Sequence, residues 1–157
     1  MQSKDLDTFD LKILKLVQSN SKISQEDIGK HVNLSTAAVN RRLKKLHDLG
    51  AIESYITVIN PNFLSYTITI ITTVKVINEQ LEQLENLRHK FANCKQVQQS
   101  YYVTGEWDFV LIILVKSMEE YTELADELFF KDKNISKFQS LIAMKKDKIS
   151  LLTPIDI

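Results

Sequence analysis

Between Ser35 and His47 stand four bases, Arg41, Arg42, Lys44 and Lys45, and no acid. Cationic groups at that density neutralise phosphates. Arg and Asn side chains can also hydrogen-bond guanine and adenine edges in the major groove, whereas Lys more often meets phosphate. On a helical wheel Val39, Leu43 and Leu46 form an apolar side at 3.6-residue spacing. Ala37, Arg41 and Lys44 then lie opposite, flanked by Asn40 and Lys45. Ser35, Thr36 and Ala37 occupy the N-terminal end, where a helix laid in the groove brings side chains to base edges. The candidate DNA contacts are therefore Ser35, Thr36, Ala37, Asn40, Arg41, Arg42, Lys44 and Lys45. Arg42 sits at the edge of the apolar side and is expected to be structural or to meet a phosphate. The plainer alternative is an ordinary solvated helix face.

Enzyme chemistry finds little support. His31, His47 and His89 fall on expected helices with no Cys, His or carboxylate arrangement around them that resembles a metal or catalytic site. Cys94 is the only cysteine. It can make no internal disulfide and no cysteine-rich metal site. There is no glycine-rich phosphate loop. The expectation is a non-enzyme without metal or cofactor.

The basic stretch needs elements to display it. Three helix starts share one signature: an apolar residue, a small polar cap, and another apolar residue four positions after the cap. The sets are Leu6-Asp7 with Leu11, Ile23-Ser24 with Ile28, and Leu34-Ser35 with Val39, the geometry of a hydrophobic staple. Acids at Asp10 and Asp27 suit the positive end of a helix. The first helix is expected over Asp7–Ser19, burying Phe9, Ile13, Leu14 and Val17. The second runs from Ser24 to about Val32, with Ile28 and Val32 inward. The third runs from Ser35 to Gly50, a natural left-handed terminator. Gly29 costs its helix about 1 kcal/mol relative to alanine, tolerable if another helix backbone crosses close by. Two helices joined by Asn33-Leu34 after a supporting helix suggest a helix-turn-helix. Ala51–Ile59 is β-branched enough for a strand or wing.

The whole chain has 157 residues, room for one ordinary domain or two small ones, and near-average charged and apolar fractions. Net charge is zero, which alone would not suggest nucleic acid. Its distribution does: nine Lys/Arg against seven Asp/Glu through Asn60, then eleven against thirteen. The longest apolar run, Phe109–Val115, is too short to span a bilayer. Met1–Asp5 lacks the flank and apolar stretch of a signal peptide. A cytoplasmic protein without membrane partners is expected. Pro61 marks the expected boundary between domains 1–60 and 61–157.

In the second domain Tyr66–Val76 reads as a strand. Leu81, Leu84, Leu87 and Phe91 recur at helical spacing within 79–94. Val97–Val103 and Asp108–Val115 read as strands joined by Thr104-Gly105-Glu106-Trp107. Met118, Tyr121, Leu124, Ala125 and Leu128 mark a second helix, and Phe138–Met144 a last strand. The order is βαββαβ. Both helices would cover one face of an antiparallel sheet, and the other face would be hidden by self-association.

With these residues in place the sequence resembles the Lrp/AsnC (leucine-responsive, feast/famine) transcriptional regulators, from about Leu6 to Lys148. The likeness rests on Leu6-Asp7-x-x-Asp10-x-x-Ile13-Leu14, on Ile23-Ser24, and on Leu34-Ser35-x-x-x-Val39-x-x-Arg42-x-x-x-Leu46-x-x-x-Gly50-x-Ile52. In the second half it rests on Val103-Thr104-Gly105-Glu106-Trp107-Asp108, similar to the family's Gly-x-x-Asp effector turn. The resemblance implies an α+β protein: a winged helix-turn-helix followed by a ferredoxin-like effector-sensing (RAM) domain. It implies dimers that commonly form octamers, and an amino-acid effector held between dimers near the turn. Backbone N–H groups around a glycine turn can cradle a carboxylate, and Asp108 can pair with an ammonium. The candidate effector residues are Tyr102, Val103, Thr104, Gly105, Trp107, Asp108 and Ser140. Two plainer roles stay open: Gly105 serving only a positive φ, and Asp108 only bonding the hairpin backbone. Family members often carry Thr-x-Thr in the final strand, where this chain has Phe138-Gln139-Ser140. That departure implies either a ligand unlike the common aliphatic amino acids or none at that strand. The leading expectation is a sequence-specific regulator of transcription on double-stranded DNA. An architectural DNA-condensing protein without effector is the alternative, and footprinting separates the two.

Overall fold

The computed structural model describes residues 6–157. Met1–Asp5, and with them the reading of a missing signal peptide, lie outside it. Three helices come first: α1 (Thr8–Ser19), α2 (Gln25–Val32) and α3 (Thr36–Asp48). Each begins at the expected cap. Asp7 and Asp10 make a reciprocal capping box, Ser24 accepts from the Asp27 N–H, and Ser35 accepts from the Ala38 N–H. These bonds satisfy amides that a helix start leaves without partners. Ile13, Val17, Ile28, Val32, Val39, Leu46 and Ile52 form the buried core, with Leu14 and Leu43 half-buried against it. Phe9 departs from expectation. It stays partly exposed, its ring 5.2 Å from the Arg42 guanidinium.

The turn between α2 and α3 is tight. Asn33 caps α2 with φ 56°, a left-handed conformation that asparagine tolerates. A Cβ on Gly29 would stand 2.5 Å from the Leu34 carbonyl oxygen. The close approach therefore comes from the turn itself and not from a crossing helix backbone. Gly50, at φ 70°, follows α3 as expected. The expected strand over Ala51–Ile59 does not form. Its residues favour β structure, but the described chain offers them no partner strand, and Tyr55, Ile56, Val58 and Ile59 are exposed.

The remaining elements are β1 (Ile68–Val76), α4 (Leu81–Asn93), β2 (Val97–Tyr102), β3 (Phe109–Val115), α5 (Met118–Ala125) and β4 (Ile135–Ile142). A 3₁₀ turn over Pro61–Leu64 precedes β1, and a π turn over Asp126–Phe130 prolongs α5. The sheet order is β2-β3-β1-β4, antiparallel throughout, the ferredoxin-like arrangement. From Thr69 along β1, and throughout β3, buried and half-buried residues alternate. Ile70, Val74, Phe109, Leu111 and Ile113 pack on Leu84, Leu87 and Phe91 of α4 and on Tyr121 and Leu124 of α5. The intervening Thr69, Ile71, Thr73, Val110, Ile112 and Leu114 face the opposite side. Leu81, expected among the inward positions of its helix, is exposed at the first residue of α4. The last strand starts earlier than its composition suggested, at Ile135, because a register shift at Lys75/Val76 lets pairing continue past Phe138.

The chain divides into two compact units, residues up to Val58 with Lys148–Ile157, and Ile59–Asp147. The last ten residues of the expected second domain, 61–157, group with the first unit. Within that unit the Gln18 side-chain amide bonds like a backbone: Gln18 Nε2 donates to the Thr153 carbonyl and Thr153 N–H donates to Gln18 Oε1, both at 3.1 Å.

Candidate nucleic-acid interface and effector turn

On α3 the bases separate into two sets. Arg42 Nη1 donates to both oxygens of Asp7, at 2.9 and 2.8 Å, and to Asp10 Oδ1 at 2.7 Å. Lys45 Nζ reaches Asp10 Oδ2 at 3.1 Å. Asp10 is wholly buried. A buried carboxylate without cations would be strongly disfavoured, so this pairing is required by the packing of α1 against α3. Asp10 and then Asp7 raise the already high Arg42 pKa. The Asp10 N–H, and beyond it the Arg42 guanidinium, hold the Asp7 carboxyl below the usual aspartate range.

The second set is uncommitted. Arg41 and Lys44 are exposed and make no hydrogen bond or ion pair to another described residue. Ser35, Thr36, Ala37 and Asn40 are exposed on the same helix. Asn40 Nδ2 donates to Gln25 Oε1 at 3.1 Å. The sequence reading missed Gln25, although its position directly after the Ser24 cap was a signal. It also read Asp10 only as a capping residue.

The turn between β2 and β3 has a different character. Gly105 has φ 122°, a conformation that favours glycine. Thr104 is exposed and Trp107 half-buried. Lys137 of β4 lies 4.6 Å from the Trp107 ring and 3.2 Å from Glu106. Asp108 is buried, and each of its carboxylate oxygens accepts a bond. Its Oδ2 accepts from the Val76 N–H at 2.7 Å, its Oδ1 from Lys75 Nζ at 2.9 Å. Its own N–H donates to the Val74 carbonyl at 2.9 Å, and its carbonyl accepts from the Val103 N–H at 2.9 Å. Of the two roles open for Asp108, bonding backbone is the one this geometry displays, with β1 as well as the hairpin. Asp108 in turn raises the Lys75 pKa.

Tyr102 lies against Phe109, ring centroids 5.2 Å apart, with the Arg88 guanidinium over it at 5.0 Å. Ser140 pairs with Thr72 across β1 and β4. Its hydroxyl bonds the Tyr121 hydroxyl, which also meets Thr72 Oγ1 at 3.0 Å. Phe138 packs at a tilt against Phe129 and edge-to-face against Phe130 of the π turn. Both residues of the altered strand motif therefore face the helices. An open cleft of about 630 Å³ lies between the end of α4 and α5, lined by Cys94, Gln96, Glu120 and Leu124 among others. None of the expected effector residues lines it. Among the described residues no helix is long and apolar enough to cross a membrane.

Comparison with known proteins gives these surfaces a context. Residues 6–53 match the family model for winged helix-turn-helix DNA-binding, and residues 69–151 match the Lrp/AsnC ligand binding domain. An uncharacterised HTH-type transcriptional regulator of Sinorhizobium fredii is 33% identical over 98% of this chain and 90% of its own length. A leucine-responsive regulatory protein of Haemophilus influenzae is 27% identical over 94% of this chain and 89% of its own. The crystal structure of an AsnC family regulator from Agrobacterium tumefaciens superposes with a TM-score of 0.89 at 24% identity, covering 95% of this chain and 97% of that one. A Neisseria meningitidis regulator solved as an L-Met complex also gives 0.89, at 22% identity, over 96% and 97% of the two chains. The chain belongs to the Lrp/AsnC family of DNA-binding transcriptional regulators.

Proposed function

We propose that the protein reads DNA with the outer face of α3 lying in the major groove. Ser35, Thr36, Ala37, Asn40, Arg41 and Lys44 form the contact surface, and Arg42 and Lys45 anchor α3 to α1 from its other side. One observation carries this reading: Arg41 and Lys44 stand exposed without a partner among the described residues, while Arg42 is bound by Asp7 and Asp10 and Lys45 by Asp10. Substituting Arg41 and Lys44 together by alanine is expected to weaken operator binding. It should also flatten the dependence of affinity on salt by about two phosphate equivalents. Unchanged affinity and salt slope in a titration would overturn the placement.

The second half senses a small molecule, with an amino acid as the effector class. The Lrp/AsnC ligand binding domain match and the methionine complex of the Neisseria neighbour support this class. Thr104, Gly105 and Trp107 supply the contact surface, Val103 and Tyr102 flank it, and Asp108 and Ser140 hold the strands beneath. Self-association buries the uncovered sheet face of Ile71, Val110, Ile112 and Leu114, giving a dimer and from it an octamer. A thermal-shift screen of the amino acids, followed by light scattering with any stabilising one, tests both. A set of amino acids with no stabilising member and a monomer in scattering would refute this part.

A further inference from the structure

We propose that Gln25, on α2 and not on the recognition helix, is a positioning residue that sets base specificity by locking the side-chain amide of Asn40. The inference rests on the outer face of α3 meeting base edges, and it adds a residue to that reading.

The amide of an exposed asparagine ordinarily turns over a broad range about its last side-chain bond. Here the Asn40 amide is tied at 3.1 Å to the Gln25 side chain, 15 residues earlier in the chain. Gln25 is itself half-buried at the first position of α2. The Leu34 carbonyl at the start of the turn into α3 leaves no room for a Cβ on Gly29, so α2 and the turn lie close together. We assign to Gln25 the Nδ2 hydrogen that points away from Oδ1, so that the hydrogen beside Oδ1 and Oδ1 itself are left as an adjacent donor and acceptor. Adenine presents the complementary pair in the major groove, an N7 acceptor and an N6 donor. Guanine presents two acceptors, O6 and N7. A freely turning amide can give either base at least one bond. The locked amide meets guanine with an acceptor facing an acceptor. Gln25 thereby converts a tolerant side chain into one that favours adenine.

The full-length protein is first used to select its preferred duplex from a random library. Affinities are then measured at one salt concentration for that duplex and for single A·T to G·C changes in it. Asn40→Ala is expected to reduce the preference at one A·T position per half-site about tenfold. Gln25→Ala should reduce it about fivefold at the same position, with melting temperature, non-specific affinity and salt slope unchanged. The double variant should be no worse than Asn40→Ala. Gln25→Glu retains an acceptor for Asn40. It should keep the base preference while lowering affinity for all sequences, because it adds negative charge near phosphates. If Gln25→Ala keeps the preference that Asn40→Ala loses, or lowers affinity for every duplex equally, the locking role is overturned and the placement of α3 stands. If Asn40→Ala and Arg41→Ala both leave every base preference intact, the placement of α3 falls, and this role with it.

Discussion

The outer face of α3 and the turn between β2 and β3 use their polar groups oppositely. On α3, Arg41 and Lys44 are exposed and have no partner among the described residues. At the turn, Asp108 is buried with both carboxylate oxygens bonded, and on β4 the Ser140 hydroxyl bonds that of Tyr121. A buried residue already bonded to its neighbours is held in place by them, whereas an exposed one with no partner is open to a ligand. Residue type and spacing do not reveal that difference. It follows from what lies within about 3 Å of each polar atom.

Asp108→Ala should give the largest effect. It leaves the Val76 N–H without its acceptor and Lys75 without its counter-ion, a destabilisation of about 3 kcal/mol measured by chemical unfolding. Stability unchanged within about 0.5 kcal/mol would instead mark Asp108 as held for ligand, and the contrast with α3 would fail. Gly29→Ala comes next. Its Cβ would press on the Leu34 backbone carbonyl, so a loss of about 1–3 kcal/mol is expected by thermal denaturation, together with weaker DNA binding.

Arg42→Ala and Arg41→Ala divide the basic stretch most directly. The first should lower stability by about 1–2 kcal/mol, because the buried Asp10 loses its nearest cation. The second should leave stability within about 0.5 kcal/mol and cut affinity for a selected duplex about tenfold. Matching profiles for the two variants would erase the distinction between anchoring and reading bases.

The smallest effect is acidic. The Asp7 carboxyl lies below its ordinary range, so its ionised form adds stability above about pH 4. That contribution fades as the pH falls through the depressed value. Asp7→Asn keeps a capping oxygen and removes the charge. The melting-temperature gap between wild type and variant should be present at pH 6 and close towards pH 3.

Much of this was legible because it is local. The caps at Asp7, Ser24 and Ser35, the αL terminator at Gly50, and the strands β1 and β3 depend on residues a few positions apart. The misses are tertiary. Ala51–Ile59 has strand-forming residues and no strand to pair with. Phe9 remains partly exposed beneath Arg42. Gln25, Lys75 and Lys137 acquire their roles from partners 15 to 33 residues distant. No periodicity of either element announces such pairings. The pairing of Asp10 with Arg42 was half visible, since Arg42 stood at the edge of the apolar side.

The bond pair between Gln18 and Thr153 has a practical corollary for anyone shortening this protein. By numbering, the final ten residues follow the sensor; by packing, they are part of the DNA reader. A stop codon introduced after Asp147 to tidy the sensor's end would strip a brace from the first helix of the other module.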